Sequence, residues 1–252
     1  MSVAQSGTAR SVQSSSADTT IASDAHVLFC FQVLSAHFAG REPPSSSFDV
    51  HTACPLFVTW KTQAHSTRDR HSRPTLRGCI GSLKPLSLST GLRDYALRSA
   101  LHDRRFAPIR AEELAGLSCT VQLLGAFERC DLHDWTVGVH GVSISFVDGS
   151  GVSRSAVYLP EVAAERGWDQ QQTLDSLIAK SGCAEAPTPT LRRSLVVTRF
   201  TSTSRTLPYD AYDAYATGLD PIVGSCGTSA TSVEATQPSH STEVNRETCV
   251  TL

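Results

Sequence analysis

Asp148-Gly-Ser-Gly151 separates two stretches, Thr136 to Val147 and Val152 to Leu159, in which apolar and polar residues alternate. A period of two is the pattern of a strand with one face buried, and a glycine-rich turn between two such strands joins them antiparallel. Leu117 to Leu124, Pro55 to Lys61, Leu76 to Leu83 and Arg193 to Thr201 read as further strands. Most of these follow one another with helices inserted irregularly, which argues for an α+β fold with a mixed or antiparallel sheet rather than a doubly wound one.

Helical spacing appears at Val27, Phe31, Leu34 and Phe38, an apolar stripe that stops at Gly40 with Pro43 and Pro44 behind it. Ser89 to Asp103 carries Leu92, Tyr95, Ala96 and Ser99 on one face, and Ala111 to Gly116 opens with two acids. Pro160 with Gly167, and Asp169 with Gly182, mark two more helices by their start and stop residues. A last short helix fits Tyr209 to Ala216. The polar stretch at 62–75 reads as a hairpin insert.

Residues 1–24 and 217–252 are rich in Ser, Thr, Ala and Gly and poor in large apolar groups, so they are expected to be disordered tails around one domain at 25–216. Within 25–216, Lys plus Arg number 20 against 18 for Asp plus Glu, a balance that disfavours a nucleic-acid partner. The leader lacks the apolar core of a secretory signal, and no run approaches the roughly 18 apolar residues that span a bilayer. Its Ser and Thr leave a mitochondrial address conceivable, but Asp18 and Asp24 and the missing amphipathic face weigh against one. The eight cysteines are scattered, several inside apolar runs, as expected of free thiols in a reducing compartment. The expectation is a cytoplasmic or nuclear protein with no membrane partner.

Leu76-Arg-Gly-Cys-Ile-Gly81 is the segment with most chemistry in it. Two glycines inside an apolar strand weaken it and mark a bulge or a close approach of ligand or backbone. Cys79 lies between them, and alternation puts Arg77 on the same face, where a guanidinium would favour the thiolate. The plainer reading makes Cys79 a buried small side chain, with Gly78 and Gly81 letting neighbours pack close. His140, flanked by Gly138 and Gly141, is available as acid or base, or is a hairpin residue bonded to its neighbours. Glu161 complements the dipole of its helix or faces the site as a base. His102-Asp103-Arg104-Arg105 either caps the preceding helix or forms an anion site. No C-x-x-C or H-x-x-x-H pair, phosphate loop or G-x-S-x-G elbow is present, so no metal or cofactor is expected.

At Leu76-Arg-Gly-Cys-Ile-Gly81 the sequence resembles the AMMECR domain family. The likeness extends through Pro55-Leu-Phe-Val-Thr-Trp60, Gly91-Leu-Arg-Asp-Tyr95, Ala100-Leu-His-Asp-Arg-Arg-Phe106, Trp135-Thr-Val-Gly-Val-His-Gly141, Tyr158-Leu-Pro-Glu-Val162 and Gly167-Trp-Asp-Gln170. The resemblance implies a two-lobed single domain whose cleft is lined by Arg77, Gly78, Cys79 and Gly81. It supplies no reaction. Association of some microbial members with Memo-like and radical-SAM proteins points towards a modification pathway. Two functions follow as expectations. One is an enzyme component with Cys79 as nucleophile, Arg77 as its cation and His140 as acid or base. The other is a non-catalytic module that binds a small anionic ligand or a protein partner, which by family association would be Memo-like.

Overall fold

The computed structural model describes residues 20–46, 48, 52–62, 74–218 and 250–251. Most of both predicted tails, and residues 63–73 of the insert, lie outside these.

Helix α1 (Asp24–Phe38) comes first, followed by strands β1 (Ala53–Thr62) and β2 (Thr75–Ser87) and helix α2 (Leu88–Leu101). A 3-10 turn (Ala111–Gly116) leads into β3 (Leu117–Cys130), β4 (Gly141–Val147) and β5 (Ser153–Tyr158). Helices α3 (Pro160–Arg166), α4 (Gln170–Lys180) and α5 (Pro189–Arg193) precede β6 (Val196–Pro208), α6 (Tyr209–Ala216) and β7 (Val250–Thr251). The strands form one sheet in the order β5-β4-β6-β3-β1-β2-β7, antiparallel at every pairing, so the fold is α+β.

The sheet carries two main cores. Over β1 and β3, α1 and α2 bury Phe31, Leu34, Trp60, Leu92 and Val121. Over β4 and the adjoining end of β6, Leu174, Leu177 and Ile178 of α4 pack with Ile144, Phe146, Val197 and Trp135. A smaller cluster of Phe57, Cys79, Leu124, Val157, Leu159 and Phe200 lies between strands of both regions.

Helix α1 is buried more completely than the sequence stripe implies. Leu28, Phe29, Cys30 and Val33 are buried along with Val27, Phe31 and Leu34. A helix that is apolar on most sides must be covered on most sides. Here β3, β6 and α2 do so, and Tyr212 of α6 stacks on Phe31 with ring centroids 5.4 Å apart. Thr20 to Ser23, read as tail, lie against β6: the Ala22 amide donates to Thr203 Oγ1 at 2.9 Å, and Thr203 donates to the Thr20 carbonyl at 3.1 Å.

Three irregularities interrupt the sheet's ladders, the first where Cys54 pairs with Leu86 but Leu56 with Ser82. Trp60 pairs with Gly78 but Lys61 with Leu76, so Arg77 is an extra residue in β2. In β3, Gly125 pairs with Thr201 and Glu128 with Arg199, leaving Ala126 and Phe127 opposite Phe200. Ala126 sits at φ +49°, where an L side chain crowds its own carbonyl. Replacing Ala126 with Gly is expected to relieve that crowding and, after the added unfolded-chain entropy of glycine, to stabilise the fold by about 0.5 kcal/mol. A urea midpoint that falls instead would show that the alanine methyl is needed.

The expected strand at Thr136 to Val147 is shorter than its alternation suggests. Residues 136–140 form a turn in which the Val139 and His140 amides both donate to the Thr136 carbonyl, and Gly138 lies at φ +80°. Such a φ suits glycine and breaks a strand. Helix α5 was not foreseen. Thr188 caps it by accepting from the Leu191 amide at 3.1 Å, and Pro189 opens its first turn.

Candidate functional site

The side of β1, β3 and β6 turned away from α1 carries a polar row, because side chains on one face recur every second residue. Cys79 pairs with Thr59, Thr59 with Thr120, and Thr120 with Thr206, so one row crosses four strands. Thr59 Oγ1 donates to Cys79 Sγ at 3.0 Å, and the Thr120 and Thr206 hydroxyls are 2.7 Å apart. Beside this row, Gln122 Nε2 donates to Ser202 Oγ and to Glu161 Oε2, both at 3.1 Å.

Glu161 comes from α3, which Pro160 starts and Gly167 stops at φ +66°. Between α3 and the sheet lies a cavity of about 340 Å³, lined by Thr59, Lys61, Cys79, Arg105, Thr120 and Gln122 from below and by Glu161, Val162, Glu165 and Arg166 from above. Tyr158, at the end of β5, contributes to the wall and shares a hydrogen bond of 3.0 Å with Ser176.

Cys79 lies in the floor and is only 3% exposed. Burial pushes its thiol up to about 11; the Thr59 hydrogen bond and the Arg105 charge pull the other way, while Asp103 and Glu161 push it further. At pH 7 the thiol is therefore in its protonated form.

The cation beside the thiol is Arg105, and it is held by Asp103. Arg105 Nη2 is 2.8 Å and Nε 3.0 Å from the Asp103 carboxylate, and Nη2 also donates to the Cys79 carbonyl at 3.2 Å. Asp103 Oδ2 accepts from the Cys79 amide at 2.9 Å. Burial pushes the Asp103 carboxyl up, but hydrogen bonds from the Arg105 guanidinium and from the Cys79 and Arg105 amides outweigh it and hold the group below the ordinary carboxylate range.

Arg77 points elsewhere. The bulge breaks the alternation that would have set it beside Cys79, and its guanidinium is clamped on Glu113 at 2.8 and 3.0 Å and on the Ala107 and Pro108 carbonyls at 2.6 and 3.2 Å. It ties the 3-10 turn to β2. His140 is not among the residues lining the cavity; its Nδ1 accepts the Thr136 amide at 3.0 Å and closes its own turn. Gly78 and Gly81 serve close packing. A Cβ at Gly78 would lie 1.8 Å from the Ser99 carbonyl oxygen of α2, and one at Gly81 would lie 2.3 Å from the Leu56 oxygen and the Phe57 ring. Glu161 does line the cavity, and it also stands in the first turn of its helix, so the two sequence readings of it coincide.

Thr59, Lys61, Thr120, Gln122, Glu165 and Arg166 were not singled out from the sequence. Their signal there is faint: polar residues at alternate strand positions look like a solvent-facing side until another element is known to cover them. Among the described residues, no three His, Cys, Asp or Glu side chains converge as metal ligands, and no helix is long and apolar enough to cross a membrane.

The AMMECR1 family profile matches residues 27–205. An uncharacterized protein of Arabidopsis thaliana is 42% identical over 199 residues, covering 78% of this chain and 90% of that protein. An uncharacterized protein of Schizosaccharomyces pombe is 41% identical over 157 residues, covering 61% of this chain and 78% of the relative. Among solved structures, the crystal structure of an uncharacterized protein from Pyrococcus horikoshii aligns with a TM-score of 0.61 at 25% identity, over 74% of this chain and 93% of that one. The profile spans more than half of the residues and runs from within α1 to within β6, and on that ground the chain belongs to the AMMECR1 family.

Proposed function

We propose that the domain is a non-catalytic binding module that receives a peptide-like ligand in the cavity between α3 and the sheet. The observation that carries this reading is the state of Cys79: a protonated thiol, buried in an apolar cluster, accepting from Thr59 and standing next to an arginine already neutralised by Asp103. A cysteine nucleophile needs the opposite setting, an accessible sulfur whose pKa is brought down towards ambient pH.

The lining favours a ligand with both donors and acceptors. Lys61, Arg105 and Arg166 are opposed by Glu161, Glu165 and the Asp103 behind Arg105, so the site has no strong net charge to select a simple anion. Thr59, Thr120 and Gln122 offer the neutral hydrogen-bonding groups that suit amides.

Alkylation of Cys79 by iodoacetamide as a function of pH, with the Cys79→Ser chain as background, tests the thiol. The expected result is negligible reaction of Cys79 in the folded protein at pH 7 to 8, with its modification appearing only as the chain unfolds. A midpoint below about 8.5 would overturn the reading and restore a thiol enzyme. Titration with glycylglycine and with acetate, followed at the Gln122 side-chain amide by NMR, tests the ligand class. The dipeptide alone should shift it, and Cys79→Ser should leave that response in place.

A further inference from the structure

Next to Cys79 the outer edge of β2 is capped by side chains, and two residues on it is paired by another segment of the chain. In an antiparallel strand the amide and carbonyl of one residue point to the same side, and alternate residues repeat that side. The Cys79 amide donates to Asp103 and the Cys79 carbonyl accepts from Arg105, so both groups face away from β1. The Asp103–Arg105 pair occupies the place that a neighbouring strand would take. Two residues on, the amide and carbonyl of Gly81 face the same way. Beyond it the strand turns irregular: the Lys84 amide donates to Ser82 Oγ, Ser82 Oγ donates to the Lys84 carbonyl, both at 3.0 Å, and Pro85 follows with no amide to offer.

From this geometry we infer that the β2 edge at Gly81 is a strand-addition site whose resident occupant is the chain's own segment at 250–251. Strand β7 pairs antiparallel with β2 there, Ile80 opposite Thr251 and Gly81 opposite Val250. It pairs with the strand directly past the position that the Asp103–Arg105 pair holds. Val and Thr are residues that favour extended backbone. Residues 217–249 separate α6 from β7, far more than the span of one small domain requires at about 3.3 Å per residue. The site recognises backbone, so it stands independently of the ligand proposed for the cavity, and an incoming strand of another protein has to displace residues 250–251 to use it.

Amide hydrogen exchange on the full chain and on a Val250→Pro/Thr251→Pro chain tests the assignment, since proline removes the amides that β7 contributes. The Gly81 amide is expected to exchange roughly tenfold faster or more in the proline chain. The Cys79 amide, which Asp103 holds in both, stays equally slow and reports an intact fold. A chain ending at Cys249 repeats the comparison without prolines. Adding a synthetic peptide of residues 246–252 at millimolar concentration to either variant should slow Gly81 again. Equal Gly81 exchange in the full-length and altered chains overturns the assignment, as does a peptide that fails to restore protection.

Discussion

Substituting Gly78 by alanine is expected to cost at least about 3 kcal/mol, at or beyond the upper end of what an added core methyl usually does. The new Cβ would stand 1.8 Å from the Ser99 carbonyl oxygen, which belongs to helix backbone and cannot swing aside like a side chain. Either α2 lifts off β2, loosening Leu92, Tyr95 and Ala96 from the core, or the strand shifts and disturbs the Trp60 pairing across from it. The loss is a large fraction of the 5–15 kcal/mol that typically separates a folded domain from its unfolded chain. Urea unfolding followed by tryptophan fluorescence should show a lower midpoint with an unchanged slope. A change below about 1 kcal/mol would mean that the helix is not seated on Gly78.

The second large effect falls on Asp103. Removing its carboxylate as Asp103→Ala strands the Cys79 amide and leaves the Arg105 guanidinium with fewer partners, at an expected cost of about 2–3 kcal/mol. The figure is kept below that for a fully buried ion pair because the Arg105 side chain is 36% exposed while that of Asp103 is 2% exposed. The same group ties stability to pH. Its carboxyl is held below the ordinary range in the folded chain, so the unfolded chain takes up the proton first as pH falls. Its contribution is therefore complete above the unfolded pKa of about 3.9 and fades as pH drops towards the lower folded value. In Asp103→Asn the ionisation is gone. The stability gap between the two chains should be constant above about pH 5 and narrow below pH 4. A gap that stays the same to pH 2 would show that Asp103 is not ionised against Arg105 in the fold.

Parts of this architecture were plain in the residues. The turn at Asp148 announces itself because alternating runs flank it, and helices α3 and α4 do so through Pro160, Gly167, Asp169 and Gly182. Thr136 to Val139 misled because Val137 and Val139 continue the alternation while Gly138 bends the chain, and a period of two carries no information about φ. Cys79 and Glu161, which line the same cavity, were legible as candidates. The cation was not: parity named Arg77, but a bulge shifts parity by one residue and no local pattern marks where it falls. Lys61, Thr120 and Gln122 stayed hidden for a different reason. They become cavity residues only when α3, which starts at residue 160, folds over them, and that is a property of the chain's long-range path.

The sheet order β5-β4-β6-β3-β1-β2 also sets a condition on how the protein is made. Strand β6 is the last long strand to leave the ribosome, and among the described residues it alone pairs with both β3 and β4. Until residues 196–208 emerge, β3 and the β4–β5 hairpin each present an unpaired edge, and α1 lacks the contacts at Thr203 and Arg205 that fasten its beginning. Pairings of this sequence separation close slowly, and the exposed edges are where a nascent chain is open to aggregation. Any chain that stops short of Val196 therefore holds two half-sheets with no strand to pair them.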